Sequence, residues 1–119
     1  LDSSDDVMYA AKADGEIIGI ANVSRLKRRM SHRASIGISV RQCAWHSGVG
    51  TALMEALLAF ARKNGIEQLE LEVRSDNGRA IRLYERFGFR RIGTIPAFLK
   101  VNGEVFASDY MVLPLKNNA

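Results

Sequence analysis

The run Trp45-His46-Ser47-Gly48-Val49-Gly50 stands between a β-branched stretch ending at Val40 and an amphipathic run beginning at Thr51. Such a junction offers anion chemistry. The first N–H groups of a helix have no partner inside it, and the helix dipole adds partial positive charge at that end. Glycine at positions 48 and 50 removes the Cβ atoms that would hold a phosphate oxygen away from those donors, so a diphosphate can rest here with no lysine directed at it. The spacing is neither the G-x-G-x-x-G of a dinucleotide site nor the G-x-x-x-x-G-K-[ST] of a P-loop. Taken alone, the pattern equally describes a strand-to-helix turn softened by glycine.

Other reactive side chains are few. Glu70 and Glu72 alternate along one strand and share a face, which in isolation describes a solvated surface. Glu72 lies nearer the strand's C-terminal end, where open α/β sheets place ligands, and is the better candidate for a base. His32 and His46 qualify by their ordinary pKa alone, His32 in a loop and His46 in the glycine turn. Cys43 has no base or cationic partner beside it in sequence and is not expected to act as a nucleophile. With two histidines and one cysteine at unrelated spacings, no metal is expected.

At 119 residues, 47% hydrophobic and 25% charged, the chain has the composition of one globular domain rather than a disordered tail. It contains neither an apolar run of membrane-spanning length nor the pattern of a leader, and its single cysteine suits a reducing compartment. The expectation is a soluble cytoplasmic protein. A net charge of +4 favours anionic ligands in general. The densest cluster, Arg25 to Arg33, has no aromatic residue to stack on bases and lies between two strand-like segments, so it reads as a solvated loop or strand end. Neither a nucleic acid nor a membrane is expected as partner.

The elements that position these residues follow from periodicity. Met8–Ala13 and Glu16–Val23 read as strands joined by a type I′ turn at Asp14-Gly15. Ala34–Val40 places Ile36, Ile38 and Val40 on one face, with Gly37 and Ser39 on the other. From Val49, apolar residues at 52, 53, 56, 57, 60 and 61 follow a helical period that Gly65 ends. Glu67–Val73 alternates as a strand, and Ser75 to Gly78 supplies caps for a second helix carrying Ala80, Ile81, Tyr84 and Phe87. Tyr84 by its local spacing reads as a core aromatic. Phe89–Ile95 forms another strand, Pro96 interrupts, and Phe98–Val101 and Glu104–Leu113 flank an Asn102-Gly103 hairpin. Strand, helix, strand in the middle implies a parallel pair with a crossover, and the terminal hairpins are antiparallel. The fold class is a mixed, mostly antiparallel α/β sheet with flanking helices.

Two separated motifs, Trp45-x-x-Gly48-x-Gly50 and Asp76-Asn77-x-x-Ala80-Ile81-x-Leu83-Tyr84-x-x-x-Gly88-Phe89, with the strand Leu69 to Val73 between them, resemble the GCN5-related N-acetyltransferase (GNAT) family. The resemblance runs from about Met8 to the last strand. It is strongest to small bacterial enzymes that acetylate amino acids or other small amines. Residues 1–119 would form one acyl-CoA N-acyltransferase domain lacking the family's usual N-terminal strand and helices, and a homodimer is a reasonable expectation for the family. The family's loop usually carries Arg or Gln where Trp45 stands, so the expectation there rests on backbone donors.

The resemblance implies acetyl-CoA as co-substrate, a primary amine of a small molecule or peptide as acceptor, and no metal. It implies that the pantetheine lies along a splayed parallel pair that frees backbone groups of Ile38 and Val40, one of which supplies an oxyanion donor. The diphosphate would meet the amides of His46, Ser47, Gly48, Val49, Gly50 and Thr51, and Asn77 would bind the pantetheine side. Tyr84 would present its hydroxyl to the sulfur as general acid; the candidate general base remains Glu72, chosen by its place on the strand rather than by the resemblance. A non-catalytic acyl-CoA-binding module is the alternative.

Overall fold

In the computed structural model, which describes residues 6–115, strand β1 (Asp6–Ala13) pairs antiparallel with β2 (Glu16–Arg25). The turn between them holds Asp14 at φ 51° and Gly15 at φ 81°, the two left-handed residues that a type I′ hairpin requires. A 3-10 turn at Arg28–Met30 leads to β3 (Arg33–Val40), and a second at Gln42–Ala44 leads to helix α1 (Val49–Lys63). Strand β4 (Gln68–Arg74), helix α2 (Gly78–Arg86), β5 (Arg90–Val101) and β6 (Glu104–Pro114) follow. The sheet order is β1-β2-β3-β4-β6-β5, antiparallel throughout except for β3 and β4. The mixed, mostly antiparallel sheet matches the expectation.

The core lies on one face of the sheet. Met54, Leu57 and Ala61 recur at helical spacing on α1, and all three are fully buried against Ala21, Val23, Ala34, Leu69 and Met111. Removing a leucine such as Leu57 from water contributes about 1.5–3 kcal/mol. Gly65, at φ 71°, ends the helix and turns the chain into β4. Helix α2 joins the same face through Tyr84, whose ring meets Phe89 edge-on at 5.7 Å.

The parallel pair holds together only at its start. Arg33, Ala34 and Ser35 pair with Gln68, Leu69 and Glu70, yet β3 continues to Val40 and β4 to Arg74. Beyond Ser35 the strands part, so the sheet consists of two three-stranded antiparallel halves diverging from a short seam.

Three local expectations are corrected. Glu70 is not solvated: it is 2% exposed, accepting hydrogen bonds from Arg33 Nη2 at 2.7 Å, Gln68 Nε2 at 2.9 Å and the Tyr110 hydroxyl at 3.1 Å. The Arg33 guanidinium holds its carboxyl below the usual range despite burial, which acts in the opposite sense. Glu72, two residues on, is exposed. Pro96 does not break β5; the strand runs through it with a register shift between Ile95 and Leu99, which an edge strand accommodates. The basic cluster joins the end of β2 to the start of β3, as a strand-end reading has it, but it is not wholly solvated, because Arg33 is taken by Glu70 and Arg25 Nη2 donates to the Asn64 carbonyl.

Candidate functional site

The slot between β3 and β4 is lined by main chain. The Arg41 N–H donates to the Ile18 carbonyl at 2.8 Å, and the Leu26 N–H to the Arg33 carbonyl at 2.9 Å, so odd-numbered residues of β3 turn their polar groups toward β2. By the alternation of an antiparallel ladder, the N–H and C=O groups of Ile36, Ile38 and Val40 point the other way, into the slot. The Val40 carbonyl accepts the Trp45 indole N–H at 3.0 Å. The amides of Ile38 and Val40 therefore face a gap in which β4 no longer pairs with them.

Past the slot the chain enters the glycine turn. Gly48 caps α1 at φ 88°, a conformation that side chains rarely adopt, and open space surrounds the position a Cβ would take. Gly50 is constrained by packing instead, since a Cβ there would stand 3.1 Å from Leu83 Cδ2. This residue lets α1 and α2 approach. The first backbone donor of the helix to find a partner is Ala52, to the Gly48 carbonyl at 3.0 Å; among the described residues, the amides of His46 through Thr51 have none. Ser47 does not offer its hydroxyl outward but returns it to the Ala44 carbonyl.

Helix α2 forms the opposite wall. Asn77 Oδ1 caps it by accepting the Ala80 N–H at 3.2 Å, which leaves both N–H groups of its side chain for a ligand. The Tyr84 ring packs into the core, and burial pushes its phenol above the usual range. It also lines a cavity of about 130 Å³ with Ile38, Val40 and Asn77. An adjoining cavity of about 310 Å³ lies between Gly48, Gly50 and Thr51 on one side and Arg79 and Leu83 on the other. A third of about 450 Å³ continues past His46 to Arg82 and Arg86. Arg79 and Leu83 border all three, which makes one continuous groove from the slot to the surface.

Sequence reasoning passed over those arginines. Positions 79, 82 and 86 have the spacing of one helix face, the signal that was available, but single charges on a short helix resemble ordinary solvation. Of the other candidates, His32 lies in the loop before β3 and Cys43 in the exposed 3-10 turn, and neither lines the groove.

Glu72 lies across the sheet from Tyr84. Leu71 and Val73 turn into the core shared by α1 and α2, so Glu72 projects from the opposite face, in register with Tyr110. Tyr84 thus stands on the core side of the sheet and Glu72 on the other.

The turn carrying Asn77 is anchored by Asp109, whose buried carboxylate accepts the Ser75 hydroxyl at 2.7 Å and the Thr94 hydroxyl at 2.9 Å. The Ser75 bond, with help from Thr94 and Arg91, holds the Asp109 carboxyl below its usual range although burial opposes this. A depressed folded pKa stabilises the fold above the unfolded value of about 3.9, and that contribution is lost as pH falls through the folded value. Asp109→Asn should lower the thermal midpoint by about 5 °C at pH 7. Midpoints of variant and wild type measured down the acid range should hold their gap above the carboxylate's ordinary value of about 3.9 and converge only as pH falls below it; a constant gap refutes this role of the charge.

The sequence pattern of the acetyltransferase (GNAT) family matches residues 1–89. The N-alpha-acetyltransferase RimI of Mycobacterium tuberculosis is 36% identical over 94 residues, covering 78% of this chain and 58% of that protein. The L-amino acid N-acetyltransferase AaaT of Escherichia coli is 33% identical over 100 residues, covering 82% of this chain and 62% of that protein. The chain spans about three-fifths of the length of these relatives. A GNAT-family acetyltransferase structure from Streptococcus pneumoniae superposes with a TM-score of 0.89 at 26% identity, covering 96% of this chain and 70% of that one.

Proposed function

The chain belongs to the GNAT family of acetyltransferases, and from that premise we propose that it transfers an acetyl group from acetyl-CoA directly to the primary amine of a small molecule or peptide. The observation that carries the reading is the run of unpartnered amides from His46 to Thr51, joined by one groove to a slot walled by the Ile38 and Val40 amides. Main-chain donors suit a diphosphate, and the slot suits the extended, amide-bearing arm that joins it to the thioester.

In this reading the acceptor nitrogen attacks the thioester carbonyl from the Glu72 side. A C–N bond forms, the C–S bond breaks, Glu72 takes the proton released by the amine, and Tyr84 protonates the departing sulfur. The Ile38 or Val40 N–H stabilises the oxyanion. An ordinary side-chain amine, pKa about 10.4, is neutral in roughly one molecule per thousand at pH 7.4, whereas an α-amine near 7.7–8.0 is neutral in about a third to a fifth. The names of the two relatives, one an N-alpha-acetyltransferase and the other an L-amino acid N-acetyltransferase, support an amino-acid or peptide α-amine as acceptor.

Acetyl-CoA at about a hundredfold excess over Kd should stabilise the fold by roughly 2.7 kcal/mol, read as a rise in thermal midpoint. Addition of amino acids and short peptides should then release free thiol. No thermal shift overturns the proposal. A shift without thiol release from any amine favours an acyl-CoA-binding module.

A further inference from the structure

The glycine turn contributes no arginine or lysine between Gln42 and Thr51, yet the groove it borders carries three guanidinium groups, all from α2. Arg79, Arg82 and Arg86 lie three and four residues apart, which stacks them along one helix face. Like charges at these spacings destabilise a helix unless something neutralises them. None of the three has a carboxylate within salt-bridge distance among the described residues, although Glu85 borders the same cavity. One is held in place: the Arg79 guanidinium lies 3.9 Å over the Trp45 ring, and the indole N–H is fixed on the Val40 carbonyl at 3.0 Å. Trp45 therefore ties Arg79 to the end of β3, at the point where the inner and outer parts of the groove meet. Arg82 and Arg86 are exposed in the outer part, beyond the unpartnered amides.

We propose that this stripe is a second anion subsite, specific for a phosphomonoester on the nucleotide end of the ligand, in which Trp45 positions Arg79 and Arg82 and Arg86 bind the terminal phosphate. The inference rests on the coenzyme reading above and adds a specificity to it: the chain distinguishes coenzyme A from its 3′-dephospho form. The main-chain amides serve the diphosphate, which both forms carry. The arginines serve the phosphate that only one of them has.

Calorimetric titration with coenzyme A and with 3′-dephospho-coenzyme A separates the two layers. Wild type should bind the phosphorylated form about 10- to 100-fold more tightly, the range for charge-assisted hydrogen bonds. The exposed double variant Arg82→Ala/Arg86→Ala should bring the two affinities within about threefold by weakening only the phosphorylated ligand. Trp45→Leu and Arg79→Ala should each weaken coenzyme A, and the double variant should lose no more than the greater single loss, because ring and guanidinium act as one unit. Equal wild-type affinities overturn the subsite while leaving the coenzyme reading intact. So does a preference that survives Arg82→Ala/Arg86→Ala. Strictly additive losses at Trp45 and Arg79 overturn the positioning role. If neither ligand binds, the coenzyme reading fails first and the subsite with it.

Discussion

Glu72→Gln should reduce kcat/KM for amine acetylation by about 100- to 10,000-fold at neutral pH, the span of a positioned general base. The affinity for acetyl-CoA should not move, since Glu72 projects from the sheet face away from α1 and α2 and borders none of the three groove cavities. The deficit should shrink as pH rises, because an amine that has already lost its proton needs no base. A pH profile of thiol release, measured for wild type and variant with the same acceptor, tests both points. If the variant keeps wild-type rates at neutral pH, the proton leaves by another route and Glu72 is a surface carboxylate.

Tyr84→Phe is the second large effect and should appear in kcat alone. The expected loss is about 10- to 1000-fold, bounded from above because a thiol of pKa near 8.5 is already a tolerable leaving group without protonation. Phenylalanine keeps the ring, so the edge contact with Phe89 and the packing of α2 survive. The thermal midpoint should therefore stay close to wild type. Burial raises the phenol's pKa, so the hydroxyl remains protonated across the working range and is a donor rather than an acceptor. A variant with unchanged kcat assigns Tyr84 to the core, which is how its spacing reads when the helix is considered alone.

The elements were legible because their signals are local. Asp14-Gly15 and Asn102-Gly103 announce hairpins through the left-handed φ their turns demand, and the apolar spacing of α1 leaves one burial face. Gly48 and Tyr84, from the motifs on either side of β4, line adjoining parts of one groove. What was not legible depended on partners remote in sequence. Glu70 alternates with apolar residues just as a solvated carboxylate does, and its burial is created by Arg33 and Tyr110, 37 and 40 residues away. The α2 arginines acquire meaning only when the glycine turn closes against that helix, an approach that Gly50 permits. Pro96 looked like a boundary because proline removes a ladder donor, and only the edge position of β5 makes that harmless.

Where the two halves of the sheet meet, Arg33 stands in the first pair of the seam and Glu70 in the last, so their bond spans the seam at the apex of a wedge. From Ser35 to Val40 the stretch of β3 that has parted from β4, still laddered to β2, is about 17 Å long at roughly 3.3 Å per residue, and a swing of its half of the sheet by about 5° at the apex would displace its tip by about 1.5 Å. Ångström-scale adjustments of the mouth are therefore geared to fractions of an ångström at the fulcrum. Sequence changes around positions 33, 68, 70 and 110 can consequently retune the width of the opening without touching any group that lines it.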